Sequence, residues 1–288
     1  MKKYLLFIIP MAILSLALKS DKAAYQIYTQ NGKAIKYSKM MKSLADADII
    51  MFGELHNNPI SHWLQLEVTK DLFASVGDKL VMGAEMFEAD NQLIIDEYFG
   101  GFFKAKKFEA EAKLWPNYST DYKPLLEFAR ENDIKFIASN VPRRYASIVH
   151  KKGLEELENL PEDSKKYLPE LPIVYDPELP AYKEMMEMMK DMPHANENLP
   201  KAQAIKDATM AHFILENYTT GQKFLHFQGS YHSDHFQGIV WYLQQANPNL
   251  KIVTISCVEQ GDVDEFGEDN KDLANYVIAI DEDMTKTY

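Results

Sequence analysis

Residues 48–59 read Asp48-Ile49-Ile50-Met51-Phe52-Gly53-Glu54-Leu55-His56-Asn57-Asn58-Pro59. An unbroken apolar run with no polar alternation is what a strand covered on both faces requires. The run stops at a glycine and gives way to a carboxylate, an imidazole and two amides. Pro59 then suits the first turn of a helix. The reading is strand, polar turn, helix, and the same grammar recurs along the chain. Further buried strands are predicted at 80–84, 134–139, 223–228, 251–258 and 276–280. Helical patterns lie at 59–73, 121–132, 202–218 and 234–246. This alternation predicts an α/β fold, with a mostly parallel central sheet flanked by helices. Ahead of it, the runs 24–28 and 34–37 flank Gln30-Asn31-Gly32-Lys33, the signature of a hairpin, and 37–44 reads as a short helix.

One stretch departs from the alternation. Residues 150–200 hold more than half of the 13 prolines and no strand of this type, with short helical patterns at 151–159 and 181–190. Together with residues 91–113, which read as helical, they predict a small inserted helical domain. The first twenty residues also stand apart. Lys2 and Lys3 precede an apolar run over 4–18 that Lys19 closes. A spanning helix needs about 20 apolar residues, so residues 1–20 are expected to be a secretory signal peptide, with an uncleaved anchor as the alternative. On this reading residues 21–288 are the α/β domain. The protein is then exported, periplasmic or associated with the cell envelope, and it meets a membrane only through an uncleaved N-terminal segment.

The 288 residues are 46% hydrophobic and 26% charged, enough to bury a sizeable core. The formal charge of −12 leaves no dominant basic field, so nucleic acid is not an expected partner. Cys257 is the one cysteine, which excludes an intramolecular disulfide and any cysteine-built metal cluster. A metal or metallo-cofactor would need His, carboxylate, Tyr or Met.

In a parallel sheet, ligands bind beyond the carboxyl ends of the strands. Four predicted strand ends carry polar groups: Gly53-Glu54-Leu55-His56, Gly83-Ala84-Glu85-Met86-Phe87-Glu88, Ser139-Asn140-Val141-Pro142-Arg143-Arg144 and Gly229-Ser230-Tyr231-His232. If the strands are aligned, Glu54, His56, Glu85 and His232 converge. Two imidazoles and two carboxylates suit a Zn²⁺ or Mn²⁺ site, with the spare carboxylate as general base. No Gly-x-Ser-x-Gly elbow or phosphate loop is present.

These segments resemble those of the ChaN-like iron-regulated haem-binding proteins, part of a wider group with the TIKI/TraB proteins and erythromycin esterases. The resemblance also runs through Trp115-Pro116-Asn117-Tyr118-Ser119-Thr120-Asp121-Tyr122-Lys123-Pro124-Leu125, Ala138 to Ala146, and Ala202-Gln203-Ala204-Ile205-Lys206-Asp207-Ala208-Thr209-Met210. It implies an α/β domain with a small helical domain, export, haem binding in haem or iron uptake, and a homodimer. The wider group implies the alternative of a metal-dependent hydrolase, with His56, Glu85 and His232 as its metal ligands, Glu54 as a supporting group or base, and these four as the catalytic set. The lipidation Cys of the lipoprotein members is missing.

Under the haem reading, Tyr118, Tyr122 and Tyr145 are candidate phenolate ligands, with Lys123, Arg143 and Arg144 as cations for the propionates. The run Tyr182, Met185, Met186, Met188, Met189 and Met192 offers an apolar surface, and His194 is a further candidate ligand. Asp207 could orient a ligand histidine or pair locally. The leading expectation is an exported haem-binding protein. The alternatives are the hydrolase and an interaction module with a vestigial site.

Overall fold

The computed structural model describes residues 22–190 and 196–288. The predicted signal at 1–20, Met192 and His194 lie outside the described residues. Eight strands form one sheet: β1 (Tyr25–Thr29), β2 (Ala34–Ile35), β3 (Ile49–Glu54), β4 (Leu80–Glu88), β5 (Lys135–Asn140), β6 (Lys223–Gly229), β7 (Ile252–Gln260) and β8 (Tyr276–Asp281). Their order is β2-β1-β8-β7-β3-β6-β4-β5. Every pairing from β8 to β5 is parallel, and the β1–β2 hairpin joins β8 antiparallel. The helices are α1 (Tyr37–Asp46), α2 (Pro59–Val76), α3 (Gln92–Phe99), α4 (Ala105–Glu111), α5 (Lys123–Glu131), α6 (Arg143–Lys152), α7 (Glu162–Lys165), α8 (Pro180–Met189), α9 (Leu199–Asn217) and α10 (Ile239–Ala246).

The apolar runs are strands buried on both faces, as their lack of alternation demands. On one face Ile50 and Phe52 pack with Leu64, Val68 and Leu72 of α2. On the other, Ile49 and Met51 pack with Met210 and Ile214 of α9 and Val240 and Leu243 of α10. A separate cluster joins Val141, Tyr145 and Val149 to Leu157, Leu168 and Ile205, whereas Ile95, Tyr98 and Phe108, from residues 91–113, belong to the main core. Among the described residues, no helix is long and apolar enough to cross a membrane.

Two helical predictions break where the backbone turns left-handed. The pattern at 234–246 starts as a helix only at Ile239, because His235, Phe236 and Gly238 hold φ of 54°, 59° and 54°. The pattern at 151–159 splits at Gly153, with φ of 92°, into the end of α6 and a 3₁₀ turn over Leu154–Asn159. In register, Glu54 lies beside Gly229 and Glu88 beside Asn140, so the predicted polar strand ends share one sheet edge.

Candidate functional site

Strand alternation sends Glu54 to the α2 face of the sheet, the face of Phe52. Its side chain is fully enclosed. One carboxylate oxygen accepts the Tyr122 hydroxyl at 2.7 Å and lies 2.8 Å from His56 Nδ1. The other accepts from Gln65 Nε2 at 2.5 Å, with His62 Nδ1 at 3.7 Å. Asn58 caps α2 by accepting from the N–H groups of Ile60 and Ser61, and Pro59 opens the helix. That cap sets the helix phase that brings His62 and Gln65 beneath the site. His62 Nε2 lies 3.1 Å from the His56 carbonyl and 3.4 Å from Asp121. Asn117 donates to the same carbonyl at 3.0 Å and to Asp121 at 2.6 Å.

With Nδ1 donating to Glu54, His56 keeps Nε2 as its second ring donor atom, and among the described residues Nε2 makes no hydrogen bond. Burial alone would lower the His56 pKa. The Glu54 hydrogen bond and the charges of Glu85 and Glu54 outweigh it and raise the value. The ring stands edge-on to Trp115, with centroids 4.9 Å apart.

A second network occupies the α9 face. Glu85 accepts the Gly229 N–H at 2.7 Å and lies 3.3 Å from His232 Nε2. His232 Nδ1 meets Asp207 at 2.5 Å, and Tyr182 donates to the other Asp207 oxygen at 3.1 Å. Burial opposes charge on His232, but two carboxylates at its two nitrogens win and raise its pKa to about 10. Burial likewise opposes charge on Glu85, yet His232, His56 and the Gly229 N–H hold it below the usual carboxylate range. Burial raises the pKa of Asp207, outweighing the lowering by His232, Tyr182 and Lys206. The networks meet at Gly229, where a Cβ would stand 2.8 Å from His56 Nε2 and 3.6 Å from Glu85.

A cavity of about 610 Å³ opens over this junction. Leu114, Trp115, Pro116, Val141 and Ala146 give it an apolar wall. Arg143 and Lys206 bring cations, while His56, Glu85, His232, Glu88 and Asn140 complete the lining. The buried Asn140 Oδ1 has no hydrogen-bond partner. Such a volume and mix of surfaces fits a small-molecule or cofactor site.

The structure thus brings Glu54, His56, Glu85 and His232 together. His56, Glu85 and His232 do not form a ligand set as they stand: among the described residues, no group of three or more His, Cys, Asp or Glu is arranged to hold a metal ion. Both His232 nitrogens face carboxylates.

The expected phenolate setting does not form at two of the three tyrosines. Tyr118 and Tyr122 are buried, and burial with nearby carboxylates raises both pKa values. Lys123, expected as a cation for the propionates, pairs with Glu109 at 2.6 Å instead. Tyr145 is buried too; Arg144 lies over its ring at 4.4 Å and donates to its hydroxyl at 3.1 Å. Arg144 also pairs with Asp90, and Arg143 with Glu88. Sequence reasoning attached no role to His62, Gln65, Asn117 or Asp121. For His62 and Gln65 the local signal is α2, whose helical spacing puts positions 62 and 65 on one stripe; Asn117 and Asp121 lie in the quoted segment from Trp115 to Leu125.

A family profile described as "Haem-binding uptake, Tiki superfamily, ChaN" matches residues 40–243. The solved structure of ChaN from Campylobacter jejuni, titled for its cofacial heme binding, superposes with a TM-score of 0.65 at 21% identity, covering 88% of this chain and 96% of that one. A Bacillus cereus protein superposes with a TM-score of 0.51 at 11% identity, covering 90% of this chain and 95% of that one. At these identities the likeness is one of fold. Among curated proteins none matches this sequence.

Proposed function

The chain belongs to the haem-binding uptake family of ChaN in the Tiki superfamily, and from that premise we propose that it binds haem in the strand-end cavity as an exported carrier. The observation that supports the site is the pairing of His56 with the enclosed Glu54, 2.8 Å from Nδ1, at the edge of that cavity. A histidine that ligates a metal donates its other ring nitrogen to a carboxylate or carbonyl, which fixes the tautomer and raises ligand basicity. His56 carries that arrangement ready-made, so its Nε2 is the donor we assign to the iron. The apolar wall around Trp115 suits a porphyrin face, and Arg143 and Lys206 suit its propionates. Bound haem would bring an iron that takes an axial imidazole; the chain's part is to orient that ring and shield it from water.

Haem titration of the purified protein tests this, with metal analysis alongside. The expected result is a Soret shift without added divalent metal, weakened strongly in His56→Ala. Copurified Zn²⁺ or Mn²⁺ with no haem uptake would point instead to the hydrolase. Export rests on the basic and apolar run over residues 1–19. Protein recovered outside the cytoplasm should begin near residue 21; an intact N-terminus in the membrane fraction would favour the anchor.

A further inference from the structure

Helix α8 carries Met185, Met186, Met188 and Met189, and the protein interior does not use them. Each is at least partly exposed, and Met188 is 65% exposed. None belongs to a hydrophobic cluster of the described residues. None lines the strand-end cavity, so this run supplies no apolar wall there.

Other groups hold the helix. The fully buried Tyr182 stacks on Tyr175 with centroids 5.7 Å apart and donates to Asp207 at 3.1 Å. The Ala181 N–H donates to Gln237 Oε1 at 2.7 Å, and the Ala181 carbonyl accepts the Tyr231 hydroxyl. These anchors lie in the first turn, ahead of all four methionines. Full burial of one methionine contributes about 1.5–3 kcal/mol. Four neighbours that forgo part of that gain on an anchored helix point to a use other than packing.

Their spacing and chemistry indicate the use. Met185 and Met188 are three apart and Met185 and Met189 four apart, which puts their Cβ atoms on one side of the helix at about 5–6 Å. Three rotatable bonds let each Sδ swing toward a common point. A thioether is a soft donor, suited to Cu⁺ and unsuited to the harder cations that take carboxylate and water. Glu184 adds negative charge beside the group, while Lys183 and Lys190 are neutralised by Glu178 and Glu187.

We propose that Met185, Met188 and Met189 form a three-thioether site for Cu⁺. The site is separate from the strand-end cavity and does not depend on haem binding.

The test titrates the purified haem-free protein with Ag⁺, which shares the softness of Cu⁺ and needs no reductant. Uptake is read by native mass spectrometry and by the methionine methyl NMR signals. Ag⁺ should shift the signals of Met185, Met188 and Met189, and Zn²⁺ should leave them in place. The triple variant Met185→Leu/Met188→Leu/Met189→Leu keeps side-chain volume and helix propensity. It should melt as the wild type does and bind Ag⁺ more than about a hundredfold more weakly, beyond the loss typical of groups that only support a ligand. Cys257 is the other soft donor; it is buried and its thiol is pushed up to about 12, so Cys257→Ala should bind as the wild type does. No uptake by the wild type, equal uptake by the triple variant, or uptake lost only in Cys257→Ala would overturn the site. Should the triple variant melt lower, Met188→Leu at the most exposed position decides: weaker uptake supports the site and wild-type uptake overturns it.

Discussion

A phenol serves as an iron donor only when it can lose its proton, and that condition divides Tyr118 and Tyr122 from His56. Tyr118 and Tyr122 are buried among apolar side chains and close to carboxylates, both of which oppose a phenolate. Their hydroxyls nevertheless have different roles. Tyr122 donates to Glu54, while the Tyr118 hydroxyl has no hydrogen-bond partner. Tyr122→Phe should therefore destabilise the protein by about 1–3 kcal/mol and weaken haem binding, because Glu54 loses a donor and holds His56 less firmly. Tyr118→Phe removes an unsatisfied group and should leave stability unchanged or raise it by up to about 1 kcal/mol. Denaturant melts of the two variants check this. Loss of the haem spectrum in Tyr118→Phe alone would return the iron to Tyr118.

At the scale of elements, the ends of β3 and β6 each carry a glycine that close neighbours crowd, for different reasons. A Cβ on Gly53 would fall 2.8 Å from Ser230 Cα and 2.9 Å from the Ile255 carbonyl oxygen. Both obstacles are backbone and cannot swing aside. Gly53→Ala should cost about 1–3 kcal/mol of stability, as overpacking does. A Cβ on Gly229 would fall 2.8 Å from His56 Nε2 and 2.9 Å from its Cε1, the far end of a side chain. Gly229→Ala should spare most of the stability and weaken haem binding, since the imidazole must move. Melting curves and haem titrations of both variants separate the cases. Equal stability losses with equal haem affinity would show that Gly229 has no part in the site.

For the whole molecule, the buried His232 ties stability to pH. Its pKa of about 10 when folded lies above the unfolded value of about 6.5. Its contribution is complete below about pH 6.5 and is lost as the pH rises through about 10. Glu85 has the opposite sign: held below the usual carboxylate range, it adds stability at neutral pH that is lost on acidification through its folded value. The wild type should therefore lose stability on the alkaline side well before lysines titrate. His232→Gln should be less stable at neutral pH, by about 3–5 kcal/mol, because Glu85 and Asp207 lose their cation. It should also lack the alkaline decline between about pH 6.5 and 10. The same alkaline limb in both proteins would remove His232 as its source.

The strand–turn–helix order and the polar strand ends were legible from the order of residues alone. An unbroken apolar run such as 49–52 has one stable use, between two layers of helices, and Gly53 marks where it stops. Glu54, His56, Glu85 and His232 were legible as one edge because parallel strands share a direction. Which groups bond was settled by the folded chain. It placed Glu54 under α2 with Gln65 and Tyr122, and Glu85 under α9 with His232 and Asp207. It turned Tyr118 and Tyr122 inward, gave Lys123 to Glu109, and brought Thr287 to Asp121 from 166 residues away. The physical reason is range: burial patterns and turn chemistry are written in neighbouring residues, whereas a hydrogen bond between distant segments exists only after the sheet has set their spacing.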